Sequence, residues 1–130
     1  MRKSSYHFLR VGLAITFLWI GVLILRDPQA WGSYIQPWAL KFLPVPLEQA
    51  MRSTAILDIV VGLGFLFDFL PWVAALLGSI HLIVILITSG VTDITIRDVG
   101  LLTGTLALLI ESSPLWLRNK FVKGADAMRD

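Results

Sequence analysis

The chain has 130 residues, 56% of them hydrophobic and 15% charged, with a net charge of +2 and no cysteine. Soluble domains carry roughly 45–50% apolar and roughly 25% charged residues, so this composition excludes a disordered tail, a nucleic-acid module and an ordinary secreted domain. The missing cysteine excludes disulfides and thiolate metal sites, and a mean hydropathy of +0.77 spread along the whole chain defines a small polytopic membrane protein.

A bilayer crossing needs about 20 mostly apolar residues. The first expected span is 8–26, in which Arg10 and Arg26 bracket an uncharged run from Val11 to Leu25 and lengthen it by snorkelling to the headgroups. A cleaved leader is the competing reading of this run. Against it, Arg26-Asp27-Pro28-Gln29-Ala30 lacks a small-residue cleavage pattern, and more apolar stretches follow.

Asp27 to Gln49 is too apolar for a plain loop. Asp27-Pro28 reads as an N-cap followed by proline at the first helical position, and Trp31, Tyr34, Ile35, Trp38 and Phe42 recur at helical spacing. One or two short helices are expected there, either lying in the interface or folding inward as a lid. The remaining spans are 50–69, 71–90 and 96–117, followed by a basic tail at 118–130. So short a connection, Phe69 to Pro71, makes the second and third spans a tight antiparallel hairpin. The fold class is therefore all-α: a transmembrane four-helix bundle with a short interfacial helical segment between helices 1 and 2, forming a single membrane domain over residues 1–130. Arg2, Lys3, Arg10, Arg118, Lys120, Lys123 and Arg129 fall on one side, and Arg26, Lys41, Arg52 and Arg97 on the other. That asymmetry predicts cytoplasmic termini and accounts for the basic pI without a nucleic-acid partner.

Lipid offers little drive for helix association, so small residues and polar contacts must hold the bundle. Gly12 and Thr16, Asp58 and Gly62, Gly78 and His81, and Gly100 and Gly104 form stripes at helical spacing on the four spans. At about 1.5 Å per residue, Asp58 lies roughly 10 Å inside from Arg52, His81 roughly 12 Å from Ser89, and Trp19 roughly 10 Å from Arg26. These residues share one layer in the outer half of the bilayer. An ionisable group at that depth is expensive unless paired or hydrated. Asp58 and His81 can pair, either to trade a proton or bind a polar headgroup, or to fix helix register by a buried hydrogen bond. Asp93, Arg97 and Asp98 gather at the outer mouth, with Asp93 and Arg97 at i, i+4. Arg97 can hold an anionic or carbonyl-bearing ligand; a helix cap with a surface ion pair is the structural alternative. On the cytoplasmic side Arg10 and Glu111 share a depth, and an ion pair tying the first helix to the last is expected. The sequence offers no clustered metal ligands and no Gly-rich phosphate loop. With His7 and His81 its only histidines and His7 on the cytoplasmic side, the sequence argues against bis-histidine haem ligation within one bundle.

Arg10-Val11-Gly12-Leu13, Phe17-Leu18-Trp19-Ile20-Gly21, Asp27-Pro28-Gln29-Ala30-Trp31, Asp58-Ile59-Val60-Val61-Gly62-Leu63 and Ile96-Arg97-Asp98-Val99-Gly100-Leu101-Leu102 occur in this order. In these segments the chain resembles the DoxX-like family of small four-helix inner-membrane proteins. Asp58 stands where that family often has glutamate. The resemblance implies a bacterial inner-membrane location and association with oxidoreductase systems, including a thiosulfate:quinone oxidoreductase subunit. Without cysteine, any sulfur chemistry falls to a ligand or a partner.

The leading expectation is a small membrane subunit or anchor of a redox system, at most an auxiliary subunit of an oxidoreductase, with a protein partner or a homo-oligomeric state in the bilayer. Its ligand would be a quinone-like molecule held by Trp19, Asp58, His81, Arg97 and Asp98, with no metal site. The alternatives are a proton-coupled small-solute transporter using the same polar layer and a purely structural scaffold for a partner.

Overall fold

A computed structural model describes residues 1–129; Asp130, the last residue of the expected tail, lies outside the described residues. The chain is all-helical: α1 (Lys3–Arg26), α2 (Pro28–Gly32), α3 (Pro37–Leu40), α4 (Leu47–Leu66), α5 (Pro71–Ser89), α6 (Ile96–Ser112) and α7 (Leu115–Ala127). Proline opens α2, α3 and α5, where its fixed φ suits the first turn and its missing N–H costs nothing. Asp27 caps α2, its Oδ1 accepting from the Ala30 N–H at 3.1 Å.

Helices α1, α4 and α5 are each long and apolar enough to cross a membrane. Helix α6 has 17 residues and ends earlier than the expected span to residue 117. Ser113 is extended, with φ −67° and ψ 150°, because a residue preceding proline is driven out of the helical region. Beyond Pro114, α7 leaves at 111° to α6.

The bundle packs α1 along α4, α4 against α5, and α5 along α6. Two glycines let α1 and α4 approach. A Cβ at Gly62 would lie 2.7 Å from Leu18 Cγ and 3.0 Å from its backbone nitrogen, and one at Gly21 would lie 2.7 Å from Ile59 Cγ1. The core is built on Leu13, Phe17, Val61, Phe65, Leu82 and Leu108, with the Phe17 and Phe65 rings edge to face at 5.8 Å. Between α5 and α6, Ser79 Oγ donates to Thr105 Oγ1 at 2.9 Å, which satisfies two buried hydroxyls. The outward faces of the spanning helices carry exposed Phe8, Ile15, Val22, Ile56, Val60, Ile80, Ile83 and Ile87, the apolar surface that lipid requires.

The α4–α5 turn is tight. Asp68 and Leu70 both sit at positive φ, 53° and 43°, and Phe69 N donates to Gly64 O at 3.0 Å. The N-terminal turns of α1 hold this hairpin from outside: Tyr6 OH donates to Asp68 Oδ1 at 3.0 Å, and Arg10 Nε lies 3.6 Å from the same oxygen.

At the far end, α2 and α3 fold over the bundle as a lid. Gln36 N donates to Thr88 O at 2.9 Å, and the Gln36 amide reaches Ser89 O at 3.4 Å. Trp31, Ile35 and Leu47 pack on a second small core of Ile24, Met51 and Ala55. Trp38 and Phe42 remain exposed on the outer side of the lid, where aromatic rings suit a membrane interface.

Candidate functional site

Between the lid and the main core lies a cavity of about 810 Å³, walled by α1, α4, α5, α6 and the lid. Its walls are mostly apolar, and its ionisable groups are Asp58 from α4, His81 from α5 and Arg97 and Asp98 from the start of α6, with Tyr34 of the lid and the hydroxyls of Thr16, Thr54, Thr88, Ser89 and Thr95 beside them. The size and the mostly apolar walls are those of a small-molecule site.

Asp58 and His81 meet at its wall, with His81 Nε2 3.1 Å from Asp58 Oδ1 and both side chains buried. The distance is that of a hydrogen bond, but the N–H direction is not: Nε2 has no aligned acceptor within the protein. A buried N–H without an acceptor costs about 1–3 kcal/mol. His81 is therefore held beside a carboxylate in the cavity wall with its Nε2 buried and without an aligned acceptor. The antiparallel α4–α5 hairpin makes this meeting possible, since Asp58 and His81 lie at similar distances from the turn at residues 67–70.

Asp98 is half-buried, close enough for the charges of Asp58 and His81 to act on it. Arg97 lines the cavity mouth but is exposed. The expected Asp93–Arg97 pair does not form. Asp93 precedes α6, and Thr92 and Thr95 tie the turn before the helix: Thr92 Oγ1 accepts from Thr95 N at 3.1 Å, and Thr95 Oγ1 donates to Gly90 O at 2.5 Å. Trp19 lines the cavity at its rim, 68% exposed, so its ring faces outward rather than closing over a ligand from within.

The expected Arg10–Glu111 ion pair is replaced by two others. Arg10 turns into the bundle, where its guanidinium donates to the carbonyls of Phe65 and Leu66 and meets His7 Nδ1 at 3.2 Å. Glu111 takes the amino terminus, Met1 N to Oε1 at 3.1 Å. The carbonyls in the last turn of α4 take the five-donor guanidinium in place of the half-exposed Glu111 carboxylate. Tyr6, Gln36 and Asp68 escaped the sequence reading. Asp68 was the one signal available, a charge in a turn too short to leave it unpartnered. Among the described residues no three His, Asp or Glu side chains gather as a metal ion would need.

Apolar helices around a polar-ended chamber define a multi-pass membrane protein with an internal cavity. The family model described as DoxX matches residues 5–92, and the chain belongs to that family. The match takes in Trp19, Asp58 and His81 and stops before Ile96–Leu102, so Arg97 and Asp98 lie beyond it. No curated protein and no solved structure matches the chain.

Proposed function

We propose that this DoxX-family protein is a small membrane subunit of a redox system, resident in a bacterial inner membrane with both termini cytoplasmic, and that its cavity holds a quinone-like ring. The observation that carries the reading is the buried His81 Nε2, unaligned with any protein acceptor and set 3.1 Å from Asp58 at the wall of a largely apolar cavity. The lopsided distribution of Lys and Arg supports the orientation.

The residues fit such a ligand. A bound quinone would supply the capacity to carry two electrons and two protons. A small turn of the buried imidazole would bring Nε2 to an oxygen of the ring, and the adjacent Asp58 carboxylate would stabilise the imidazole when it carries a second proton. Asp98 and the exposed Arg97 connect the chamber to the lid end, where protons exchange with water. Apolar walls keep the ring out of bulk solvent. With no cysteine and its two histidines far apart in the sequence, the chain looks to a partner protein for electrons.

The test is to extract the purified protein and quantify bound quinone. Wild type is expected to retain it, and Asp58→Asn or His81→Ala to lower occupancy at least fivefold with an unchanged elution profile. Equal occupancy in wild type and both variants would defeat this placement.

A further inference from the structure

Helices α1 and α6 touch at the end of the bundle that carries Met1, where a Cβ on Gly104 would meet Leu9 and Leu13 at 3.4 Å. One turn nearer the lid α6 presents an open position. Gly100 is exposed, lines the cavity, and would place a Cβ with nothing within 4 Å. Across from it on the cavity rim stands Trp19 of α1, 68% exposed. At the lid end the same cavity is roofed, because Gln36 pins the lid to the last turn of α5 at Thr88 and Ser89. The lid therefore covers the cavity at Thr88 and Ser89, while Trp19 and Gly100 leave it open at the side of the bundle.

We propose that Trp19 and Gly100 frame a lateral portal through which the cavity takes a bilayer-dissolved amphiphile. Its hydrogen-bond-accepting head lies against His81 and Asp58, and its hydrocarbon chain lies out between α1 and α6. This shape complements the chamber at both ends: the buried His81–Asp58 pair in the wall and the exposed Trp19 and Gly100 at the rim. The inference rests on the reading of the cavity as a binding site but does not depend on the head being a quinone. A chain lying in the gap also supplies the packing that α1 and α6 lack there.

The natural absence of cysteine allows a direct test. Ile85→Cys on α5 and, separately, Thr54→Cys on α4 place single thiols on the cavity wall. Each variant is reconstituted in phosphatidylcholine vesicles and labelled with a long-chain N-alkyl maleimide or a small charged maleimide. The alkyl reagent is expected to react at least tenfold faster. Adding Gly100→Trp should slow it at least tenfold, while Gly12→Trp, at an equally open position on α1, should not. Comparable rates for the two reagents, or indifference to Gly100→Trp at both thiols, would overturn the portal. Labelling that obeys this pattern in a protein that retains no quinone would leave the portal standing and sink the redox reading. Bound quinone with labelling blind to Gly100→Trp would do the reverse.

Discussion

Arg10 of α1 donates to the main-chain carbonyl of Phe65, and also to that of Leu66 at 3.0 Å, so one helix supplies the C-terminal cap of another. Helix ends leave carbonyls short of donors, and in the last turn of α4 Arg10 adds donors from outside to those that the turn into α5 supplies. Arg10→Met is expected to lower stability by about 2–3 kcal/mol, read as a drop in thermal midpoint in detergent. Arg10→Lys should recover part of the loss. Glu111→Gln should change stability by about 0.5 kcal/mol or less, because Glu111 meets the amino terminus and not Arg10. A large effect at Glu111 would restore the ion pair expected from sequence.

The α1–α4 contact depends on two missing side chains. Gly62→Ala and Gly21→Ala are each expected to cost about 1–3 kcal/mol, because backbone atoms as well as flexible side chains stand in the way. Gly12→Ala, which meets open space, should be neutral or raise stability by up to about 1 kcal/mol. Equal midpoints for the Gly62 and Gly12 variants would contradict the packing.

The turn at residues 67–70 stores strain. Leu70 has φ 43° and ψ 56°, a conformation that costs a side-chain-bearing residue roughly 1–2 kcal/mol. Leu70→Gly should raise the thermal midpoint, the gain trimmed by the freedom glycine adds to the unfolded chain. Asp68→Gly at the neighbouring positive φ should lower it, since Asp68 also binds Tyr6 and Arg10.

These residues show where the sequence was legible. Apolar runs between charges located the long helices, because lipid solvation acts on each segment alone and leaves a one-dimensional record. Depth counting brought Asp58 and His81 to one level for the same reason, since rise per residue is fixed. The partners of Arg10 were hidden, because main-chain carbonyls leave no mark in a sequence. The Gly100/Gly104 stripe was half-read: its spacing put both glycines on one face, but only the tilt between α1 and α6 decides which one is in contact.

Asp58 and His81 also separate stability from ligand retention. Replacing one partner leaves the other buried and unmatched, whereas replacing both with apolar residues of similar volume is often neutral or better. Asp58→Leu and His81→Leu are each expected to lower the thermal midpoint, and the double variant to recover most of the loss. Quinone occupancy should stay low in all three. Recovery of occupancy in the double variant would reduce the pair to packing.

The shortness of the α4–α5 turn bears on how the chain reaches the membrane at all. A carboxylate at mid-bilayer carries an insertion penalty of about 2.5–3.5 kcal/mol on a lone helix. The four residues from Phe67 to Leu70 are too few to let α4 integrate and wait on the far side for its successor. The two helices must partition together as a hairpin, and Asp58 then meets His81 during biogenesis, before α6 has arrived. The acid and the imidazole shelter each other from hydrocarbon at the translocon, so the same neighbour that shapes the chamber first makes its second span insertable.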